Sequence, residues 1–328
     1  MNNVDSNLNK SFRLLDMYER FNKGGYISKK QLSDEYSVSQ KTIQRDIDDL
    51  RAYFAEKHVG TDIKYDKRNQ GYFLTKSPQD WLTNQEVFAL AKITLDSRAF
   101  NKEELDGLLE RLILQAAPES RELIKELVAN ERYHYVPLQH NSSLLGKLWK
   151  LSQAIKNKTV IKIHYQRQDG KQVVHEVSSL AVVFSEFYYY LIALSKGTDK
   201  NPPAVFRIDR ITEMTDTKEK FRVPYRDRFE EGEFRKRIQF MYPGPLTTIK
   251  FKFWGPSLEA VLDRLPSIKK PVINNGKEAM IEAEVYGEKG IMMWLFSQAE
   301  YVEVLEPLSL REKMKESASE IVSNYEDN

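Results

Sequence analysis

The chain has 328 residues and not one cysteine. That excludes disulfides, zinc–thiolate sites and cysteine nucleophiles, and it fits a reducing compartment. Long apolar runs are also missing: none approaches the roughly 20 residues needed to span a bilayer. The opening Met1-Asn2-Asn3-Val4-Asp5 lacks the basic and apolar regions of a signal peptide, so a cytoplasmic location away from the membrane is expected. There is no low-complexity segment and no convincing internal repeat. The sequence carries no Walker loop, no Gly-x-Gly-x-x-Gly, no His-Glu-x-x-His and no Gly-x-Ser-x-Gly. Ser267-Ile268-Lys269-Lys270 fits Ser-x-x-Lys, but it precedes Pro271 in an expected loop, and so short a pattern arises easily by chance. The five histidines are His58, His134, His140, His164 and His175, and none has helical metal-ligand spacing. His164 and His175 could meet across paired strands, where a phosphate contact suits a basic segment better than a metal. Glu303 and Glu306 fit a strand edge and a turn better than a carboxylate pair. No catalytic residue, metal site or cofactor is expected, and the chain is not expected to be an enzyme.

What is present is enough apolar material, 41% of residues, for two or three domain cores. The net charge of +2 becomes informative once it is divided along the chain. Residues 1–76 hold 14 Lys/Arg against 11 Asp/Glu, residues 77–139 hold 7 against 11, residues 140–222 hold 14 against 8, and residues 223–328 hold 15 against 18. Two separate basic blocks in a nearly neutral chain point to two anionic partners. A solvated lysine-rich surface is the plainer reading of either block taken alone.

In the first block, Phe12, Leu15, Met17, Tyr18 and Phe21 are expected to form the apolar stripe of a helix that Gly24-Gly25 ends. Ser28-Lys29-Lys30-Gln31 has the form of a capping box opening a second helix, with Leu32 facing inward. After the turn-like Tyr36-Ser37-Val38, Ser39 can cap a third helix carrying Ile43, Ile47 and Leu50. Two short helices joined by a tight turn describe a helix-turn-helix. Its second helix enters the major groove with its N-terminal residues on base edges, here Ser39, Gln40, Lys41, Thr42, Gln44 and Arg45. Gln can read adenine, and Arg or Lys can read guanine, bidentately. Asp46, Asp48 and Asp49 would repel phosphate and are placed away from it. Residues 63–74 form a hairpin pattern with Lys67 to Gly71 near the tip, and a basic hairpin after a recognition helix is the wing of a winged helix. Lys64, Lys67 and Arg68 would contact phosphate or the minor groove. A three-helix bundle that binds protein is the alternative.

Thr83-Asn84-Gln85-Glu86 is a second capping-box candidate ahead of Val87, Leu90, Ala91, Ile93 and Leu95. Leu105, Leu108, Leu109, Leu112 and Ile113, then Leu123, Ile124 and Leu127, continue an acidic helical segment. In the second basic block, one helix near Leu144 to Ile155 precedes several strands. Residues 187–194 run Phe-Tyr-Tyr-Tyr-Leu-Ile-Ala-Leu, as a strand buried on both faces would. Residues 205–211, Val-Phe-Arg-Ile-Asp-Arg-Ile, alternate as a half-buried strand would, with Phe206 and Ile208 on one face and Arg207 and Asp209 on the other. Arginines beside tyrosines suit an anionic ligand with flat rings, because guanidinium grips phosphate and tyrosine stacks on bases. A core strand with one Arg–Asp pair is the plainer reading. Residues 235–328 fit β-α-β-β-α-β, with Thr247–Trp254, Ser257–Leu265, Met280–Tyr286, Gly290–Gln298 and Tyr301–Leu305 the clearer elements.

These residues resemble the WYL-domain transcriptional regulators of bacteria. The Trp-Tyr-Leu of that family aligns with Tyr189-Tyr190-Leu191, so tyrosine replaces tryptophan. Its Phe-Arg-Leu-Asp-Arg-Ile run matches Phe206 to Ile211 with Ile208 for leucine, and its Ile-x-Ile-x-Tyr strand matches Ile161 to Tyr165. Ser179 stands where the family usually has proline. The N-terminal block resembles the DeoR-like winged helix, with Thr-Ile-x-Arg-Asp-Ile-x-x-Leu at Thr42 to Leu50. Residues 302–311 are similar to the C-terminal extension that follows WYL domains.

The resemblance implies a multi-domain α+β chain. A winged helix-turn-helix would occupy 1–76, a helical linker or dimerisation region 77–139, an SH3/Sm-like small β-barrel, the WYL domain, 140–222, and a ferredoxin-like βαββαβ extension 235–328. It implies effectors that are nucleic acid fragments, single-stranded DNA or nucleotides, sensed by the WYL domain. Tyr165, Tyr189, Tyr190, Arg207 and Arg210 would line that site, with His164, Lys162 and Arg167 as weaker candidates. Arg207 and Arg210 have opposite parity on an ideal strand, so both reach one pocket only if a bulge or bend intervenes. The expected function is a homodimeric regulator binding a pseudo-palindromic double-stranded DNA operator and responding to an anionic effector. The alternatives are a non-transcriptional accessory protein that binds nucleic acid in a defence or nuclease system, and an enzyme acting on nucleotides.

Overall fold

A computed structural model describes residues 2–57, 61–75, 82–196, 203–222, 228–268, 271–274 and 278–326. His58, Lys269 and Lys270 lie outside the described residues, as does the expected boundary at 76/77. The chain divides into two compact units, residues 1–98 with 102–136, and residues 99–101 with 137–328. No helix among the described residues is long and apolar enough to cross a membrane.

The first unit opens with α1 (Asn2–Lys23), α2 (Lys29–Glu35) and α3 (Gln40–Lys57), followed by a hairpin of β1 (Asp62–Asp66) and β2 (Gly71–Thr75). Met17 and Phe21 of α1 pack with Leu32, Ile43, Ile47 and Phe54 in one core. The apolar stripe of α1 is Leu14, Met17, Tyr18 and Phe21, four positions that the helical period brings to one side. Phe12 and Leu15 fall off that side and are 66% and 65% exposed, against expectation. Gly24, at φ +76°, ends α1 in the conformation glycine favours. Ser28 occupies the N-cap of α2, but its side chain makes no cap hydrogen bond, so the expected capping box is absent. Entry into α2 is fixed one residue earlier, where Ile27 and Tyr72 exchange backbone hydrogen bonds of 2.7 and 2.8 Å. A Cβ on Gly71 would lie 2.8 Å from Tyr26 Cβ, so this bridge needs glycine at the start of β2.

Three further helices follow in the same unit: α4 (Asn84–Ser97), α5 (Lys102–Ile113) and α6 (Arg121–Tyr133). Here the capping box forms as expected. Thr83 Oγ1 accepts from the Glu86 N–H, and Glu86 accepts from the Thr83 N–H at 2.7 Å.

The second unit begins with α7 (Leu145–Asn157) and a five-stranded antiparallel sheet. Its strands are β3 (Thr159–Gln166), β4 (Gln172–Ser185), β5 (Tyr188–Ser195), β6 (Ala204–Arg207) and β7 (Ile211–Lys220), in the order β6-β5-β4-β3-β7. A bulge between Ser179 and Ala181 shifts the register of β4 against β5 and leaves Leu180 out of the ladder. The expected strand over 205–211 stops at Arg207. Ile208–Arg210 form a 3-10 turn instead, closed by the Ile211 N–H donating to the Ile208 carbonyl, while Asp209 accepts from the Arg207 guanidinium two residues back. Nor is the tyrosine strand buried throughout: Leu191, Ile192 and Ala193 are buried, and Tyr188, Tyr189 and Tyr190 are half-buried.

Beyond α8 (Glu231–Arg237) come β8 (Leu246–Phe253), α9 (Leu258–Arg264), β9 (Val272–Asn274), β10 (Glu278–Tyr286), α10 (Glu288–Phe296) and β11 (Val302–Glu306), with α11 (Leu308–Glu326) last. The sheet order is β11-β8-β10-β9, with every neighbouring pair antiparallel. Phe251, Ile281, Ile291 and Leu295 centre its core. Ser267 is tied into this fold, its hydroxyl donating to the Glu284 carbonyl at 2.7 Å.

Candidate nucleic-acid interface and the tyrosine–arginine cluster

The N-terminal end of α3 starts at Ser39, whose Oγ accepts from the Thr42 N–H at 3.1 Å and meets Thr42 Oγ1 at 2.9 Å. Both hydroxyls are thus already used in capping. Gln44 is held within the fold. Its Oε1 accepts from Tyr72 Oη and from Lys29 Nζ, each at 2.9 Å, and its Nε2 donates to Asp48 at 3.1 Å. The side chains that remain exposed with no partner among the described residues are Gln40, Lys41 and Arg45 on α3, and Lys64, Lys67 and Arg68 on the hairpin. Asp66 sets the hairpin tip, accepting from the Arg68 N–H at 2.7 Å and from Asn69 Nδ2 at 2.8 Å.

The three aspartates of α3 are each matched by a cation. Asp46 is buried and paired with the buried Arg13 of α1 at 2.5 Å. Asp48 pairs with Arg51 at 2.6 Å, and Asp49 with Lys10 at 2.9 Å. Arg51 also donates to the Ile63 carbonyl at 3.1 and 2.9 Å, fixing α3 to β1. The aspartates of the helix are thereby neutralised inside the unit, while Lys41 and Arg45 near its start stay open.

On the sheet of the second unit, register places Tyr190 directly across from Arg207. Tyr188, two residues from Tyr190, shares that face. The Arg207 guanidinium lies over the Tyr188 ring, 3.5 Å from its centroid, and donates to Asp209 through Nε at 3.1 Å and Nη2 at 2.8 Å. The Asp209 side chain is 3% exposed. Burial pulls the Arg207 guanidinium down, and Asp209 more than offsets it, leaving its pKa above the ordinary value. Burial pushes the Tyr190 hydroxyl up to about 12, against the lowering pull of Arg207. Arg210, in the 3-10 turn, also acts on Tyr190 and has no side-chain partner among the described residues. His140 stands beside this group, 6.2 Å from the Tyr188 ring. Burial lowers its pKa, Asp209 opposes that, and Arg207 and Lys147 add to it.

The other candidates face elsewhere. Tyr165 and Tyr189 pack against the core of Leu191, Phe206 and Ile208, on the opposite side from Tyr190. Tyr165 Oη accepts from the Arg207 N–H at 3.3 Å, so it holds the backbone of the cluster from behind. His164 pairs in register with Val174, and His175 with Ile163, so the period of two puts the two histidines on opposite faces and they do not meet. His164 Nε2 lies 3.9 Å from Glu213, Lys162 is exposed, and Arg167 lies 3.6 Å from Asp169. The sequence reading missed Tyr188 and His140 as members of the cluster, and it placed Asp209 beside Arg207 only in the plainer reading of one Arg–Asp pair. Tyr188 was detectable, since it shares the parity of Tyr190.

A helix-turn-helix domain model matches residues 13–73, a WYL domain model residues 146–216, and a WCX domain model residues 246–322. No curated protein matches the chain. Among solved structures, it is similar to proteasome accessory factor B/C (PafBC) of Arthrobacter aurescens, at 17% identity and a TM-score of 0.28, over 94% of this chain and 46% of that one. It is also similar to a protein titled a CRISPR Cas-related protein, at 15% identity and a TM-score of 0.23, over 54% of this chain and 51% of that one. The chain thus spans about half the length of either, and at these scores neither likeness bears on its fold or activity. The chain thus carries a helix-turn-helix, a WYL and a WCX domain in that order, the domain order of the WYL-domain regulators it resembles.

Proposed function

We propose that the chain is a cytoplasmic, homodimeric regulator that binds operator DNA through its winged helix and senses an anionic effector at the tyrosine–arginine cluster. The observation that carries this reading is the charge arrangement of the first unit. Every aspartate of α3 is paired, while Lys41 and Arg45 at the helix start and Lys64, Lys67 and Arg68 on the hairpin are open. Gln40, Lys41 and Arg45 would read bases, the hairpin cations would hold phosphate, and Ser39, Thr42 and Gln44 would fix the helix that presents them. Exposed Leu90 and Ile93 on α4, with Leu123 and Leu127 on α6, support a dimer contact in the region 77–139.

For the second unit, a helix followed by five antiparallel strands with a 3-10 turn before the last supports an SH3/Sm-like barrel over 140–222. The element order and the β11-β8-β10-β9 sheet support a ferredoxin-like extension over 235–328. An anionic effector, of nucleic-acid-fragment or nucleotide chemistry, would meet Arg210 and the remaining Nη1 edge of Arg207, with Tyr188 and Tyr190 beside them. Tyr165 and Tyr189 would support the site from the core, and His164 would lie at its margin. For the effector to gate DNA binding, it must bind the DNA-competent and DNA-incompetent states unequally.

The experiment is selection of bound duplexes from a random library by the full chain and by Arg45→Ala. A palindromic consensus that the variant loses supports the reading. Uniform, salt-sensitive binding with no consensus would sink sequence-specific regulation.

A further inference from the structure

A cavity of about 740 Å³ opens on another part of the second unit, between the C-terminal end of α7, the β4 bulge, the end of β7 and the approach to α8. It shares no lining residue with the tyrosine–arginine cluster. Its volume falls in the range of small-molecule sites. Ile155, Leu180, Phe221 and Phe229 give it apolar walls. Leu180, which the bulge leaves out of the ladder, is one of the wall residues.

The charges around the cavity call for a ligand of particular chemistry. Lys158, Arg228, Glu230 and Glu231 all line it, and none has an ion-pair partner among the described residues. Glu231 sits in the first turn of α8, where an acid is favourable whatever the cavity holds, so the argument rests on Lys158 and Arg228 facing the same space as Glu230. A plain anion would meet the glutamate, and a plain cation would meet the lysine and arginine. A molecule carrying both charges on an apolar body satisfies all of them.

We propose that this cavity is a second ligand site, separate from the effector cluster, for a zwitterionic compound of amino-acid type with an apolar side chain. The apolar body lies against Phe221, Phe229 and Leu180, the carboxylate meets Lys158 and Arg228, and the ammonium meets Glu230. The site also has a route to the first one. Phe229 packs on Phe234 with ring centroids 5.2 Å apart, in the same apolar cluster against which Tyr190 rests.

The test is saturation-transfer NMR and calorimetry on the full chain. The probes are L-tryptophan, L-phenylalanine, L-leucine and L-methionine, with N-acetyl-L-tryptophan and tryptamine as analogues lacking one charge each. The expected result is binding of at least one of the four zwitterions, weakened about tenfold or more in Lys158→Glu. If tryptophan binds, each analogue should bind about tenfold more weakly or worse. Lys158 is exposed, so its reversal leaves the fold intact. No transfer to any zwitterion at roughly 10 mM, binding unchanged by Lys158→Glu, or equal binding of a one-charge analogue would overturn the proposal.

Discussion

The winged helix and the tyrosine–arginine cluster are both cationic, and they treat their cations in opposite ways. In the winged helix the acids are occupied: Asp46 by Arg13, Asp48 by Arg51 and Asp49 by Lys10. Lys41, Arg45, Lys64, Lys67 and Arg68 are left for a partner. In the cluster the leading cation is itself occupied, with Arg207 spending two donors on Asp209 and its face on Tyr188. A polyanion can therefore dock on the first site without breaking anything. At the second, an anion must use Arg210 and one edge of Arg207, or displace a buried carboxylate. The first arrangement suits standing affinity, and the second suits a response that depends on the ligand.

The largest expected effect comes from breaking the pairing that frees the winged-helix cations. Asp46→Ala leaves Arg13 buried without a partner and should cost about 3–5 kcal/mol. Thermal unfolding followed in the first unit checks this, and a loss below about 1 kcal/mol would mean that the pair is not what joins α1 to α3. Next comes Arg207→Ala, which strands Asp209. Arg207 is partly exposed, so the cost should be about 2–3 kcal/mol, below that of a fully buried pair. Arg210→Ala breaks no ion pair among the described residues, so it should keep wild-type stability while weakening an anionic effector, with a single-stranded oligonucleotide as probe. If Arg210→Ala destabilises as much as Arg207→Ala, the contrast drawn between held and open cations fails inside the cluster.

Arg45→Ala should lose about 1–3 kcal/mol of operator affinity and relax the preference at one base pair. Lys67→Ala should weaken binding uniformly across sequences and reduce the salt slope by about 1. Binding measured against salt for both variants separates base reading from phosphate holding. Matching changes in the two would show that α3 and the hairpin are not dividing the work.

How much of this was legible in the sequence depended on whether neighbours along the chain decide the outcome. Ile43, Ile47 and Leu50 announced α3 because helical period alone places them, and Thr83 with Glu86 announced α4 because a capping box is a local motif. The same kind of motif failed at Ser28, where the distant Tyr72 sets the chain's entry into α2. The break at Ile208 was half legible: Phe206 to Asp209 alternates as a strand would, and only the opposite parity of Arg207 and Arg210 raised a bend, which the structure makes as a turn with Asp209 bonded back to Arg207. α11 drew little notice because it is mostly exposed, with Leu310 its one buried residue, so it carries almost no apolar period. The pairing of the α3 aspartates was half legible. Their repulsion of phosphate could be foreseen, but Arg13 and Lys10 lie more than thirty positions away and become partners only in the folded unit.

The smallest effect sharpens the comparison through pH. His140 stands against Tyr188, Asp209 and Arg207, and burial lowers its pKa from the ordinary 6.5. A histidine depressed in the folded state is neutral there while the unfolded chain still takes up a proton. Its contribution to stability is therefore full above about pH 6.5 and is lost as pH falls through the lower folded value. The second unit should lose stability on acidification across that window, and His140→Asn should flatten the slope. His175, also lowered by burial, contributes in the same direction from the opposite face, so the double variant should be flatter still. Denaturant midpoints measured from pH 7.5 down to about 5.5 test this. A slope unchanged by both substitutions would mean that protonation near Arg207 is not what the cluster resists, and the crowding of charge around Asp209 would lose its place in the contrast with the open winged helix.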